Sequence, residues 1–156
     1  MSANKRLLNE LKSLRSEAES LKMTVYCNED SLYQWSATIT GATGTPYDGL
    51  VYNLRIEFPP NYPFVPPKIK FTNGMFHPNV DAAGEICLDI LKDKWTPVLN
   101  VTKALLSILA IMAEPNPSSA LNMEAATLYT SNMAEYINKV KQSIQPLKAS
   151  SAPATA

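Results

Sequence analysis

"VYNLRIEFPPNYPFVPPKIKFT", residues 51–72, sets two opposed habits side by side. Tyr52, Leu54, Ile56 and Phe58 alternate with Val51, Asn53, Arg55 and Glu57, the two-residue period of a strand with one face in a core. Five prolines then fall within residues 58–67, a run that lacks the N–H donors of a ladder and makes a rigid loop. "KIKFT" resumes as a short strand. Upstream, Trp35, Ala37 and Ile39 of "LYQWSATITG" show the same alternation, and "GATGTPYDG" reads as the turn between. Three or four consecutive strands joined this way predict an antiparallel meander.

Helices flank the meander. Leu7, Leu11, Leu14, Ala18 and Leu21 share one face of a helix that Ser2 is placed to cap, with Lys5, Lys12 and Arg15 on the opposite, solvated face. Asn100 reads as the N-cap of "VTKALLSILAIMA", a nearly all-apolar helix expected to be buried and to end before Pro115. "NMEAATLY" and "NMAEYINKVKQSIQ" predict two more, the second opened by Asn132 with Glu135. The order predicts a single α+β core over residues 1–147, followed by a small, polar tail, 148–156, expected to be disordered.

Composition narrows the function. At 46% apolar, 18% charged and zero formal net charge, nothing global points to nucleic acid or an anionic membrane. No run is long enough to span a bilayer, and "MSANKRLLNELK" lacks the apolar centre of a signal peptide. Cys27 and Cys87 make a poor disulfide framework, which suits a reducing compartment. With His77 they supply too few ligands for a structural zinc, so no metal is expected.

Between Phe76 and Leu99 the period is lost, and irregular excursions of this length are usually functional. It holds the chain's one histidine and, in "HPNVDAAGEICLDIL", Cys87 eight residues after Asn79. A thiol between Ile86 and Leu88 reads either as a buried structural cysteine or as an exposed nucleophile. A papain-like hydrolase needs a mobile imidazole, and His77, fixed before Pro78, is better read as holding the loop. Moving an acyl group that is already a thioester asks for much less: an accessible thiol, a donor for the transient oxyanion, and a neutral amine. The side-chain amide of Asn79 offers such a donor.

His77-Pro78-Asn79, the step to Cys87, "CLDIL", Trp95, "EPNP" at 114–117 and the "YPFVPP" loop together resemble the ubiquitin-conjugating enzyme family, over about Lys5 to Ile144. The resemblance implies an N-terminal helix, a four-stranded antiparallel sheet, an active-site excursion, a central buried helix and two C-terminal helices. It implies that Cys87 accepts ubiquitin from an ATP-dependent activating enzyme and passes it to a substrate lysine with a RING-type ligase. The protein itself would need no cofactor and act as a monomer in cytoplasm and nucleus. Asn79 matches an oxyanion or loop-organising asparagine and Asp89 an acidic residue that helps deprotonate the lysine. Lys5, Arg6, Phe64, Pro97 and Val98 match ligase and activating-enzyme contacts, and Thr24 a second, non-covalent ubiquitin site behind the sheet.

The chain departs from the family pattern at Ser119, often an aspartate beside the active site, and at Ala120, usually a proline. The short step from "CLDIL" to Trp95 is unlike the SUMO enzyme, and Asp89 replaces an asparagine of the NEDD8 enzyme, so ubiquitin is the expected modifier. NEDD8 is the alternative. A non-catalytic scaffold for ubiquitin chains, the remaining alternative, is disfavoured by the presence of Cys87. "ILKDKW" and "KRL" are similar to the cell-cycle subgroup that serves the anaphase-promoting complex in protein degradation.

Overall fold

The structure, a computed structural model, describes residues 3–147; the proposed Ser2 cap and the 148–156 tail lie outside the described residues. Helix α1 (Ala3–Leu21) is followed by strands β1 (Thr24–Asn28), β2 (Ser31–Thr40), β3 (Val51–Glu57) and β4 (Lys68–Phe71), then α2 (Val101–Ala113), α3 (Met123–Ser131) and α4 (Met133–Ser143). The strands pair antiparallel in sequence order, the meander that the alternation predicts. Strand β1 has no clean period: Val25 is buried while Tyr26 and Cys27 are half-buried, so its pairing, not its pattern, makes it a strand.

Trp35, Ala37 and Ile39 of β2 and Tyr52, Leu54 and Ile56 of β3 turn to one face. There they meet Leu7, Leu11 and Leu14 of α1 and Val101, Ala104, Leu105 and Ile108 of α2 in one continuous core. Helix α1 stops where Met23 N–H bonds the Ala18 carbonyl and Lys22 N–H that of Glu19, a Schellman closure. It is closed by Lys22 at φ 57 rather than by a glycine. Helix α2 is capped by Asn100, whose side chain accepts from Lys103 N–H at 2.8 Å. It is less buried than its composition predicts, since Leu106 is 40% exposed. Asn132 caps α4 through Glu135 N–H.

One carboxylate ties three segments together. Glu10 of α1 accepts from Arg6 Nε (2.5 Å), the Tyr62 hydroxyl (2.6 Å) and Val101 N–H at the start of α2 (2.8 Å). Arg6 also donates to the carbonyls of Pro97 (3.0 Å) and Leu99 (2.6 Å), and Trp95 Nε1 donates to the Pro63 carbonyl at 2.8 Å. The proline-rich loop and the 97–99 loop are thus bolted to α1 and to each other. Glu10→Ala strands a buried hydroxyl and a helix-terminal N–H at once and is expected to cost about 2–4 kcal/mol. Urea unfolding measures this; a loss below about 1 kcal/mol would show that the node carries little.

Candidate active site

Asn79 and Cys87 are eight residues apart because a small hairpin lies between them. Val80 pairs with Ile86, and Cys87 N–H donates to the Asn79 carbonyl at 2.8 Å. Asp81 closes the turn: its Oδ1 accepts from Ala83 and Glu85 N–H, both at 2.9 Å. Gly84 then runs so close to β4 that a Cβ there would sit 2.0 Å from the Phe71 carbonyl oxygen, at φ +88. Only glycine meets both demands. The hairpin is therefore pinned to the sheet, with Cys87 half-buried at its exit.

His77 is fully buried. Its Nδ1 accepts from Asn79 N–H at 2.9 Å, so Nε2 carries the proton and donates to the Ile111 carbonyl at 2.7 Å. Burial lowers its pKa to about 4. With both nitrogens engaged and the ring neutral, it cannot serve Cys87 as a base, which removes the thiol-protease reading.

Asn79 is also fully buried, and its amide is saturated. Nδ2 donates to the carbonyls of Asn116 (2.7 Å) and Ser119 (3.0 Å), and Oδ1 accepts from Asn116 N–H (2.8 Å). Both N–H groups are thus engaged by the 116–119 segment rather than left free. That segment, with a 3-10 turn at Pro117–Ser119, is thereby laid against the loop that leads to the thiol. Leu121 and Asn122 N–H both bond the Pro78 carbonyl and extend the seam.

The structure brings Cys87, Asn79 and Ser119 into one bonded frame, with His77 and Pro78 behind it. Asp89 is exposed at the start of a 3-10 turn, Asp89–Leu91. Sequence reasoning missed Lys92, whose ammonium lies 3.9 Å from the Cys87 sulfur; a cation five residues after a cysteine carried no signal without the turn between. Lys5, Phe64 (77% exposed), Pro97 and Val98 (88% exposed) stand out on the surface. Arg6 does not: its guanidinium is spent inside the molecule, so it shapes that surface rather than offering free donors. Thr24 lies elsewhere, exposed on the outer sheet face and bonded to Thr38 across the strands at 2.5 Å.

The ubiquitin-conjugating enzyme profile matches residues 6–144. The chain belongs to the ubiquitin-conjugating enzyme family. It is 48% identical to ubiquitin-conjugating enzyme E2-20 kDa of Schizosaccharomyces pombe over 132 residues, 80% of this chain and 75% of that one. Among solved structures it is similar to Pex4p of H. polymorpha, a ubiquitin-conjugating enzyme solved with the soluble domain of Pex22p, with a TM-score of 0.84 and 34% identity over 92% of this chain and 97% of that one. It also resembles the E2 domain of a Toxoplasma gondii ubiquitin-conjugating enzyme, with a TM-score of 0.79 and 37% identity over 90% and 94% of the two chains. The enzyme is thus a transferase of ubiquitin conjugation, and ubiquitin is favoured over NEDD8 as its cargo. Members of the family work through a cysteine thioester, and with a ubiquitin-activating enzyme and a ligase as partners.

Two measurements test the frame. The unfolded chain binds the His77 proton near pH ~6.5, the folded chain only near pH 4. Between these the unfolded state holds more protons, so stability falls as pH drops through the window, by roughly 3 kcal/mol in all. Urea midpoints at about pH 7 and about pH 4.5 should show this fall, and His77→Gln should show a smaller one; equal slopes would mean that the imidazole is not held neutral. Asn79→Asp is isosteric but sets a carboxylate against two carbonyls, and is expected to cost about 2–4 kcal/mol. An unchanged midpoint would show that the amide does not hold the 116–119 segment.

Proposed function

We propose that Cys87 is the residue that carries ubiquitin. The supporting observation is the contrast between the two free thiols. Cys27, on β1, faces the carbonyls of Asn28 (3.5 Å) and Ser31 (3.7 Å), and burial raises its pKa, which makes it a poor thiolate. Cys87 sits at the exit of a pinned hairpin, with the Lys92 ammonium 3.9 Å from its sulfur and Asp89 exposed two residues further along the chain.

The cycle then has two acyl transfers. The Cys87 thiolate attacks the ubiquitin thioester on the activating enzyme, whose thiol leaves; exchange between two thioesters is nearly balanced in free energy. A neutral substrate lysine next attacks the carbonyl on Cys87, the C–S bond breaks, and an amide remains. With His77 committed to the loop, Asp89 is the group placed to accept the lysine proton, while Ser119 can orient the amine but not deprotonate it. Asn79 contributes by holding the frame, and no cofactor enters on this enzyme; ATP is consumed upstream.

Lys5, Phe64, Pro97 and Val98 form the docking surface for the activating enzyme and a RING-type ligase. An exposed aromatic on a stiff loop is a natural anchor, and the Glu10 and Arg6 bonds hold its loops in place before a partner arrives. Thr24 offers the outer sheet face for a second ubiquitin. The free thiols suit a reducing compartment, which supports work in cytoplasm and nucleus.

Charging with activating enzyme, ATP and ubiquitin, followed by electrophoresis with and without reductant, tests the assignment. The expected adduct is lost in reductant for the parent chain, survives reductant in Cys87→Ser as an oxyester, and is absent in Cys87→Ala. An adduct that persists in Cys87→Ala, or one lost in Cys27→Ala, would overturn it.

A further inference from the structure

The outer face of the sheet breaks a rule of strand pairing. Arg55 of β3 and Lys70 of β4 are direct cross-strand partners. Both side chains leave the sheet away from the core, since Leu54, Ile56, Ile69 and Phe71 take the buried face. Like charges placed directly opposite one another destabilise a strand pair. Nothing cancels them here: neither side chain has a hydrogen bond or an ion pair among the described residues. Glu57, two residues along β3, and Glu85, joined to Lys70 by an isolated bridge, both lie outside ion-pairing distance.

Arg55 and Lys70 line a cavity of about 480 Å³, walled further by residues 74–76, residues 81–84 at the tip of the hairpin, Asn122 and Ser143. That volume falls within the ~300–1,000 Å³ of small-molecule sites. Asp81 also lines it, but its Oδ1 already accepts the Ala83 and Glu85 N–H groups, so this carboxylate closes the hairpin. A local rule broken with no structural compensation marks a functional position. We propose that the cavity binds a small organic phosphate, with the phosphate group between Arg55 and Lys70. The guanidinium supplies a planar fork of donors and the ammonium a point charge, and a phosphate dianion has the charge and the oxygens to engage both at once. A carboxylate carries half that charge. The organic remainder lies against the half-buried Met75. Occupation ties β3 and β4 to the hairpin tip, and Gly84 is three residues from Cys87, at most about 10 Å of chain. The ligand therefore stiffens the mount of the thiol without touching it.

The test titrates the full chain with glycerol 3-phosphate and with inorganic phosphate, using glycerol and sodium chloride at matched ionic strength as controls. Amide NMR spectra and urea midpoints are the readouts. Both phosphates should give saturable shifts centred on residues 74–76 and 81–84 and raise the midpoint, and the controls should do neither. Arg55→Ser and Lys70→Ser should each weaken binding at least about tenfold, since each removes a charged donor. Without ligand, both variants should unfold at the same urea concentration as the parent or a higher one, because each relieves the repulsion. A lower midpoint in either variant would show that the pair supports the fold and would overturn the proposal. So would shifts that sodium chloride reproduces, binding undiminished in either variant, or no saturable response to the two phosphates. A phosphoserine peptide that saturates the cavity where glycerol 3-phosphate does not would overturn the small-ligand assignment.

Discussion

A neutral imidazole wedged between two backbones governs the site. His77 receives an N–H from Asn79 and gives one to the Ile111 carbonyl near the end of α2, so the entry to the hairpin is fixed to the buried helix by one side chain with no nitrogen to spare. The rest of the candidate site hangs from that point. Asn79, so oriented, spends its amide on the 116–119 segment and its carbonyl on Cys87 N–H. Gly84 lets the far side of the hairpin lie against β4. The thiol is positioned by backbone bonds rather than activated by a base, which suits chemistry that starts from an acyl group already activated as a thioester.

A second anchor acts at the other end of α2. Glu10 joins α1, Tyr62 of the proline-rich loop and the first N–H of α2, while Arg6 reaches past it to the 97–99 loop. Trp95, which closes the active-site excursion, bonds the carbonyl just before Phe64. The exposed Phe64 and Val98 therefore stand on a stiffened base, and binding there need not order the loops first. Helix α2 is the common member: its N-terminal end is tied through Glu10 to the proline-rich loop, its C-terminal end to the histidine behind the thiol. This places the loop that displays Phe64 and the thiol frame toward opposite ends of one helix.

Much was legible in the sequence because it is local. Alternation named β2 and β3, asparagine caps marked α2 and α4, and proline density marked the loop that displays Phe64, since dihedral limits, missing donors and capping bonds act over a few residues. His77, Pro78, Asn79 and Cys87 were conspicuous by type and spacing. What stayed hidden depends on partners distant in the chain. Strand β1 has no period of its own and is defined by pairing to β2. Arg6 looks like an available surface cation until Pro97 and Leu99, about ninety residues on, take its protons. Asn79 looks like an available donor until the chain returns at 116–119. Lys92 gained meaning only when a 3-10 turn folded it back on the sulfur. Residue type and spacing determined which groups the chain could use for acyl transfer. Tertiary structure alone decided which of them were free to do so, because a hydrogen-bonding group has few valences and only the folded chain shows where they are spent.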